Sequence, residues 1–326
     1  MNMIVIKIML LETFFIASAS EKPVISVNTF SSDGKILISE SSEVGTAVAV
    51  LAVSYHRKVV CSIDNDNFTL STIIDDEYVI KTHATLDREL VSSYVVRVSC
   101  EDQLLGLFSS VNLYIYITDA NDNSPEFHQE SFIYTVPEDI PIGTYIFTAR
   151  ANDMDTGKNG EIMYEIIPNY LGFIIDANTG EVRTSIHFDR ESIAAVSFDV
   201  IAIDQGSPQR RSKAFVTIEL IGVNDNKPFF LYPFDDHQFQ VSKNCLIGTL
   251  IGKVIAYDID EGRNGQLTFS VENPEQPFQI TTTGEIRCTG DIDKDIGELY
   301  YLTIVASDHG EHALSSQKHV KIVVTG

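Results

Sequence analysis

After residue 20 the chain offers no run of about 18 uninterrupted apolar residues, so no membrane-spanning helix is legible there. Positive charge is scarce: 23 lysines and arginines stand against 46 aspartates and glutamates. Nucleic acid and anionic membrane surfaces would be repelled by such a chain, and multivalent cations attracted. Tryptophan is absent, and cysteine is limited to Cys61, Cys100, Cys245 and Cys288. There is no Gly-x-Ser-x-Gly, no Walker loop and no His-Glu-x-x-His, and the eight histidines (His56, His83, His128, His187, His237, His309, His312 and His319) are scattered. The common signatures of nucleophilic, phosphate-binding and zinc-hydrolase chemistry are therefore missing. No segment sustains a 3.6-residue apolar period, which argues against helices.

What is present begins with an apolar start, Met1 to Ser20, interrupted by Lys7 and Glu12 and ending in Ala17-Ser18-Ala19. This reads as a secretory signal over 1–19. An oxidising compartment would permit two disulfides, one from Cys61 and Cys100 in the first third and one from Cys245 and Cys288 in the last; four free thiols are the alternative. Asn67-Phe68-Thr69 is a glycosylation sequon that agrees with secretion. The 326 residues, 44% apolar, suffice for two or three domains with buried cores.

Self-similarity decides between those counts. Leu86-Asp87-Arg88-Glu89 returns as Phe188-Asp189-Arg190-Glu191 and, weakened, as Ile292-Asp293-Lys294-Asp295, 102 and then 104 residues on. Asn121-Asp122-Asn123-Ser124-Pro125 returns as Asn224-Asp225-Asn226-Lys227-Pro228 after 103 residues. Runs such as Val111–Ile117 and Phe215–Leu220 alternate with period two and are rich in β-branched and aromatic residues, so they read as half-buried strands. Turn signals such as Asn178-Thr179-Gly180-Glu181 and Thr282-Thr283-Gly284-Glu285 separate them. About seven short strands per hundred residues predict an all-β chain: an antiparallel Greek-key sandwich repeated three times, over 20–125, 126–228 and 229–326.

The carboxylates recur with the same period. Glu40 and Glu138 each stand five residues before a glycine, Gly45 and Gly143. The second and third repeats open with Asp153-Met154-Asp155 and Asp258-Ile259-Asp260, followed by Asn159 and Asn264, and later carry Asp204 and Asp308. Oxygen donors gathered at this density, without cysteine or histidine, suit a hard cation of six to eight coordination, calcium better than zinc or magnesium. Paired acids of a glycoside hydrolase would need unlike environments, whereas these recur as identical sets.

At these residues the chain resembles the cadherin repeat family, whose motifs stand here as Leu86-Asp87-Arg88-Glu89, Asp119-Ala120-Asn121-Asp122-Asn123, Asp153-Met154-Asp155 and Ala202-Ile203-Asp204. The resemblance implies an elongated array whose linkers bind calcium, Ca2+. A first cluster would use Glu40, Asp87, Glu89, Asp119, Asn121, Asp122, Asn123, Asp153, Asp155, Asn159 and Asp204. A second would use Glu138, Asp189, Glu191, Asn224, Asp225, Asn226, Asp258, Asp260, Asn264 and Asp308. An extracellular setting points to site affinities on the order of 10⁻⁴ to 10⁻³ M. The implied function is calcium-dependent cell-cell adhesion, on the extracellular side of the plasma membrane, through homophilic or heterophilic contact with another cadherin-type ectodomain. Membrane attachment is expected through a C-terminal segment not in this sequence, because the last strand stops where a further linker would begin. A secreted or mechanical-link module, and a calcium-dependent glycan-binding sandwich, are the alternatives.

Three departures from the pattern carry information. The first repeat has no Asp-x-Asp near its start, as expected of an N-terminal repeat. Gly222 stands where the first linker has Asp119, which predicts a weaker second cluster, and Lys243 replaces the glutamate of repeat three, where an ammonium cannot coordinate calcium. The family members that dimerise by strand exchange insert an N-terminal tryptophan, and a chain without tryptophan cannot use that mechanism.

Overall fold

The computed structural model describes residues 22–30, 34–169 and 171–326; the signal expected over 1–19 lies outside them. Every regular element among the described residues is a strand, and no helix there is long and apolar enough to cross a membrane. The strand Leu107–Thr118 shows the cause: Leu113, Ile115 and Ile117 are buried while Tyr114 and Tyr116 face outward. Each aliphatic side chain hidden in this way contributes about 1.5–3 kcal/mol.

In the first repeat one sheet is ordered Val24–Thr29, Ala47–Ser54, Glu77–Thr82, Phe68–Ile74, and the other Ile36–Ser39, Leu107–Thr118, Ser93–Asp102, Val60–Ile63. Leu51, Ile80, Val96 and Ile115 fill the space between them. The second repeat pairs the sheet Ser131–Pro137, Arg211–Ile221, Ala195–Ile203, Met163–Ile167 with Tyr145–Thr148, Glu181–Thr184, Phe173–Ile175, around Phe173, Val182, Phe198 and Ile218. The third sets Gln238–Ser242, Ser315–Thr325, Leu299–Ser307, Thr268–Val271 against Leu250–Lys253, Glu285–Cys288, Phe278–Ile280, around Phe278, Ile286, Leu302 and Ile322. Three separate cores thus match three β-sandwiches.

Two details depart from the expected antiparallel, seven-stranded plan. The first repeat has eight strands, with Val24–Thr29 in one sheet and Ile36–Ser39 in the other, and the second and third have nine each, two of them forming a separate two-stranded sheet, Glu126–Phe127 with Ala151–Asn152 and Phe229–Tyr232 with Ile255–Tyr257. Each repeat also holds one parallel pair: Ile36–Ser39 with Leu107–Thr118, Ser131–Pro137 with Arg211–Ile221, and Gln238–Ser242 with Ser315–Thr325. A parallel pair needs a long connection between its strands, and here the rest of the repeat is that connection.

This pairing places the chemistry. Ser39 lies opposite Thr118, Pro137 opposite Ile221 and Ser242 opposite Thr325. The next residue in each case donates its N–H to the same carbonyl: Glu40 to Thr118 at 3.2 Å, Glu138 to Ile221 at 3.0 Å and Lys243 to Thr325 at 2.9 Å. Chain contacts divide the protein into two compact units, Met1–Glu126 with Ala151–Ile162 and Ile203–Ser212, and Phe127–Arg150 with Met163–Ala202 and Lys213–Gly326. Each unit contains one of the two acidic clusters whole.

Candidate metal centres at the repeat junctions

Glu40 and Glu138 are held identically. Both follow a parallel strand and precede a turn closed by Gly45 (φ +93°) or Gly143 (φ +83°), a backbone conformation that favours glycine. Both carboxylates are buried. Glu40 accepts the backbone N–H of Arg88 at 2.6 Å and of Ala120 at 2.7 Å, and Glu138 accepts those of Arg190 at 2.5 Å and Val223 at 2.7 Å. One glutamate therefore anchors the Asp-Arg-Glu turn and the start of the linker together.

The asparagines of the linkers face the following loops in matched fashion. Asn121 donates from Nδ2 to Asp204 at 3.1 Å and to the Pro208 carbonyl at 2.6 Å; Asn224 donates to Asp308 at 3.1 Å and to the His312 carbonyl at 2.9 Å. Asn123 donates to Asp122 at 2.9 Å and Asp155 at 2.7 Å, and Asn226 to Asp225 and Asp260, both at 2.8 Å. Asp153 and Asp258 accept the N–H of Asp155 and Asp260. Close approach demands glycine beside the linker: a Cβ on Gly206 or Gly310 would stand 2.4 Å from Nδ2 of Asn121 or Asn224.

These contacts gather carboxylates that would otherwise repel. Oxygens of Glu40, Glu89 and Asp122 lie within 4.8 Å of one another, as do those of Glu89, Asp119 and Asp155, of Glu138, Asp189 and Glu191, and of Glu191, Asp225 and Asp260. Burial pushes the carboxyls of Glu89, Asp122 and Asp153 upward, and negative neighbours add to it, Glu40 beside Glu89 and Asp122, and Asp155 beside Asp153. Glu191, Asp225 and Asp258 are raised in the same way, Glu138 acting on the first two and Asp260 on the third. For Asp119 burial acts upward too, but hydrogen bonds from Asn159 and Thr156 and the Arg88 guanidinium outweigh it, and the net shift is downward.

The donor set fits a hard cation. Eight carboxylate residues are buried among the described residues, and seven are predicted ligands: Glu40, Glu138, Asp155, Asp204, Asp258, Asp260 and Asp308. Five buried oxygens there lack a hydrogen-bond partner: four fall at matching places, Asn121 and Asn224 Oδ1 and Asp153 and Asp258 Oδ2, and the fifth is Glu191 Oε1. Orphaned, buried and oxygen-only, three from carboxylates and two from amides, these atoms call for a positive ion with many oxygen ligands.

The Cadherin domain family profile matches residues 132–221 and 237–325. The chain belongs to the cadherin family. Human Protocadherin Fat 4 is 33% identical over 93% of this chain, and human Protocadherin gamma-A1 31% identical over 88%. The chain spans 6% and 33% of those proteins. The solved Protocadherin gammaB7 EC3-6 cis-dimer structure superposes with a TM-score of 0.80 at 29% identity, over 93% of this chain and 77% of that one. Cadherin domains are calcium-dependent adhesion modules and not enzymes, which agrees with the acidic junctions and with the absent catalytic motifs.

Within this cadherin framework the two junctions are not identical. Arg88 forms ion pairs with Glu89 and Asp119 and donates to the Met154 carbonyl at 3.1 Å. With Gly222 in place of Asp119, Arg190 turns to the Leu220 carbonyl at 3.2 Å and to Glu261. Neither the arginines nor Glu261 stood out in the sequence as partners, since a long side chain chooses among acids only in three dimensions. Asn159 donates to Asp119 at 2.7 Å, and Asn264 lies half-buried in the matching loop. Asp87 and Asp189 are exposed and accept N–H groups of their own turns, from Leu90 and from Glu191 and Ser192.

The base of repeat three is different in kind. The Lys243 ammonium donates to the carbonyls of Asp293 at 3.2 Å and Lys294 at 2.7 Å, and the Asp293 carboxylate is taken by the Tyr300 hydroxyl. Cys61 and Cys100 face each other across neighbouring strands and are bonded, with Cα atoms 4.1 Å apart. The bond expected between Cys245 and Cys288 is not formed: both are thiols, Cys288 donating to the Gly290 carbonyl at 3.2 Å. Asn67 is half-buried in the turn before Phe68–Ile74.

Proposed function

We propose that this chain is part of a calcium-dependent cell-cell adhesion ectodomain in which ions held at the two junctions tie each repeat to the next. The observation that carries the reading is the duplication of one ligand set with the same hydrogen-bond partners and the same orphaned oxygens. Glu40, Asp87, Glu89, Asp119, Asn121, Asp122 and Asn123 would act with Asp153, Asp155, Asn159 and Asp204; Glu138, Asp189, Glu191, Asn224, Asp225 and Asn226 would act with Asp258, Asp260, Asn264 and Asp308. Bound calcium would supply the positive charge that Arg88 and Arg190 alone do not provide to these carboxylates. Unneutralised charges 4 Å apart repel by about 1 kcal/mol in water and by about 4 kcal/mol near a protein surface. The junctions are then loose in chelator and stiff in calcium, because ligands from both sides share one neutralising charge.

A stiffened array on the extracellular side of the plasma membrane can hold an adhesive face toward another cadherin-type ectodomain. The cis-dimer of the gammaB7 relative supports association between such chains. The absence of tryptophan directs attention to broad surface overlap instead of strand exchange.

Small-angle scattering of residues 20 to 326, with calcium and with chelator, tests this for wild type and Asp122→Ala. Calcium should extend and stiffen the wild type and act less on the variant. A shape indifferent to calcium in both would overturn the reading.

A further inference from the structure

Superposing the repeats by their own hydrogen bonds isolates one position where repeat three is built of different chemistry. In repeats one and two the turn after Glu40 or Glu138 is locked by a buried threonine. Thr82 donates from Oγ1 to the Glu43 carbonyl at 3.0 Å and receives the Thr46 N–H; Thr184 donates to the Pro141 carbonyl at 2.8 Å and receives the Thr144 N–H. The surrounding backbone ladder is the same in all three repeats. Gly45, Gly143 and Gly248 donate to the carbonyls of Thr82, Thr184 and Cys288, which donate back to those of Thr46, Thr144 and Thr249. Cys288, fully buried, therefore occupies the threonine site.

Its partner is matched as closely. Ser42, Ile140 and Cys245 each lie three residues before the turn glycine and each donate a backbone N–H three residues back, to Ser39, Pro137 and Ser242. Repeat three thus carries sulfur at both places, and Cys245 packs against the core cluster that contains Cys288. Cys245 is partly exposed and its Sγ lies 3.7 Å from the Leu246 carbonyl, the group equivalent to the one the threonine hydroxyl serves elsewhere.

We propose that Cys245 and Cys288 form a thiol–disulfide site that exchanges with a small disulfide of the glutathione type. Cys245, the reachable sulfur, attacks as thiolate one sulfur of the small disulfide; the S–S bond breaks and one thiolate leaves, taking up a proton as a thiol. Cys288 then loses its proton and attacks the Cys245 sulfur of the mixed disulfide, and the second small thiol departs. The pair is oxidised by two electrons and one disulfide is reduced to two thiols. Order follows from access: burial and the Cys245 thiol both hold the Cys288 proton on, so Cys288 is the resolving sulfur. Closing the bond staples the turn that carries Lys243 to the strand Glu285–Cys288.

The full chain is equilibrated in buffers of rising oxidised-to-reduced glutathione ratio, quenched with N-ethylmaleimide and mapped by peptide mass. Alkylation of Cys245 and Cys288 should fall together, with a crosslinked peptide joining them inside one chain. In parallel, Cys288→Ser should retain glutathione on Cys245, at least about tenfold more than Cys245→Ser retains on Cys288, as expected where access controls reactivity. Full alkylation at every ratio, a Cys245 crosslink between chains, or equal trapping in the two variants would each overturn the proposal.

Discussion

The two junctions solve one problem with a carboxylate delivered from opposite sides. In the first, Asp119 at the end of the linker-side strand receives the Thr156 N–H at 2.9 Å and the Asn159 amide, capping the loop that carries Asp153 and Asp155, and also pairs with Arg88. In the second, the equivalent position is Gly222, and the Thr156 position is Glu261, whose carboxylate crosses back to Arg190. A Cβ on Gly222 would lie 3.1 Å from Cδ of Arg190, so that arginine has moved into the space an aspartate would claim. The charge near the arginine is kept while its contribution to the ligand cluster is lost. A motif that is one acid short is thus not equivalent to one with a neutral replacement.

The largest effect is expected where the junctions are alike. Glu40→Ala strands the buried N–H groups of Arg88 and Ala120 and should cost about 2–5 kcal/mol in the first repeat, together with loss of calcium protection of that junction. Glu138→Ala should do the same in the second, and paired calorimetric melts with and without calcium would show it. Next comes Lys243→Met, which removes the donor to two carbonyls and should cost about 1–3 kcal/mol. Its melting shift should be the same in calcium and chelator, unlike those of the glutamate variants.

Gly222→Asp with Glu261→Thr turns the second junction into a copy of the first. Titration should show its calcium affinity rising about tenfold, equivalent to about 1.4 kcal/mol; a fall would mean that crowding against Arg190 dominates. Glu261→Ala alone removes only an exposed partner of Arg190, so the melting temperature should hold while a weak salt dependence disappears.

The smallest difference of all should appear in the pH response. In chelator, Glu89, Asp122 and Asp153 and their counterparts Glu191, Asp225 and Asp258 bind protons more tightly folded than unfolded. Their protonation stabilises the fold at low pH, and that contribution is lost as pH rises from the unfolded carboxyl range through the raised folded one. Both junctions should respond in parallel when melted from acid to neutral pH.

Much of this was readable beforehand, for a definite reason. Strand faces follow from period-two alternation, so Val216, Ile218 and Leu220 could be assigned to the core from sequence, and all three are buried. The gathering of acids at the junctions was legible because motif order repeats every hundred residues. Partner choice was not: alternation tells which face Ile36 and Ile38 take, not that their strand runs parallel to Leu107–Thr118. Glu261 escaped because it lies in no motif. For Cys245 and Cys288 the sequence left disulfide and free thiols open, because position alone does not set redox state.

The shared carbonyl beneath Glu40, Glu138 and Lys243 ties chemistry to alignment. Because the ladder is parallel and side chains alternate, sliding the strand Ile36–Ser39 by a single residue would turn Glu40 to the opposite face and leave the N–H groups of Arg88 and Ala120 without their acceptor. A repeat folded one step out of register would still bury apolar surface, yet it would have no working junction. On the proposed reading, metal affinity would therefore gauge correct strand threading.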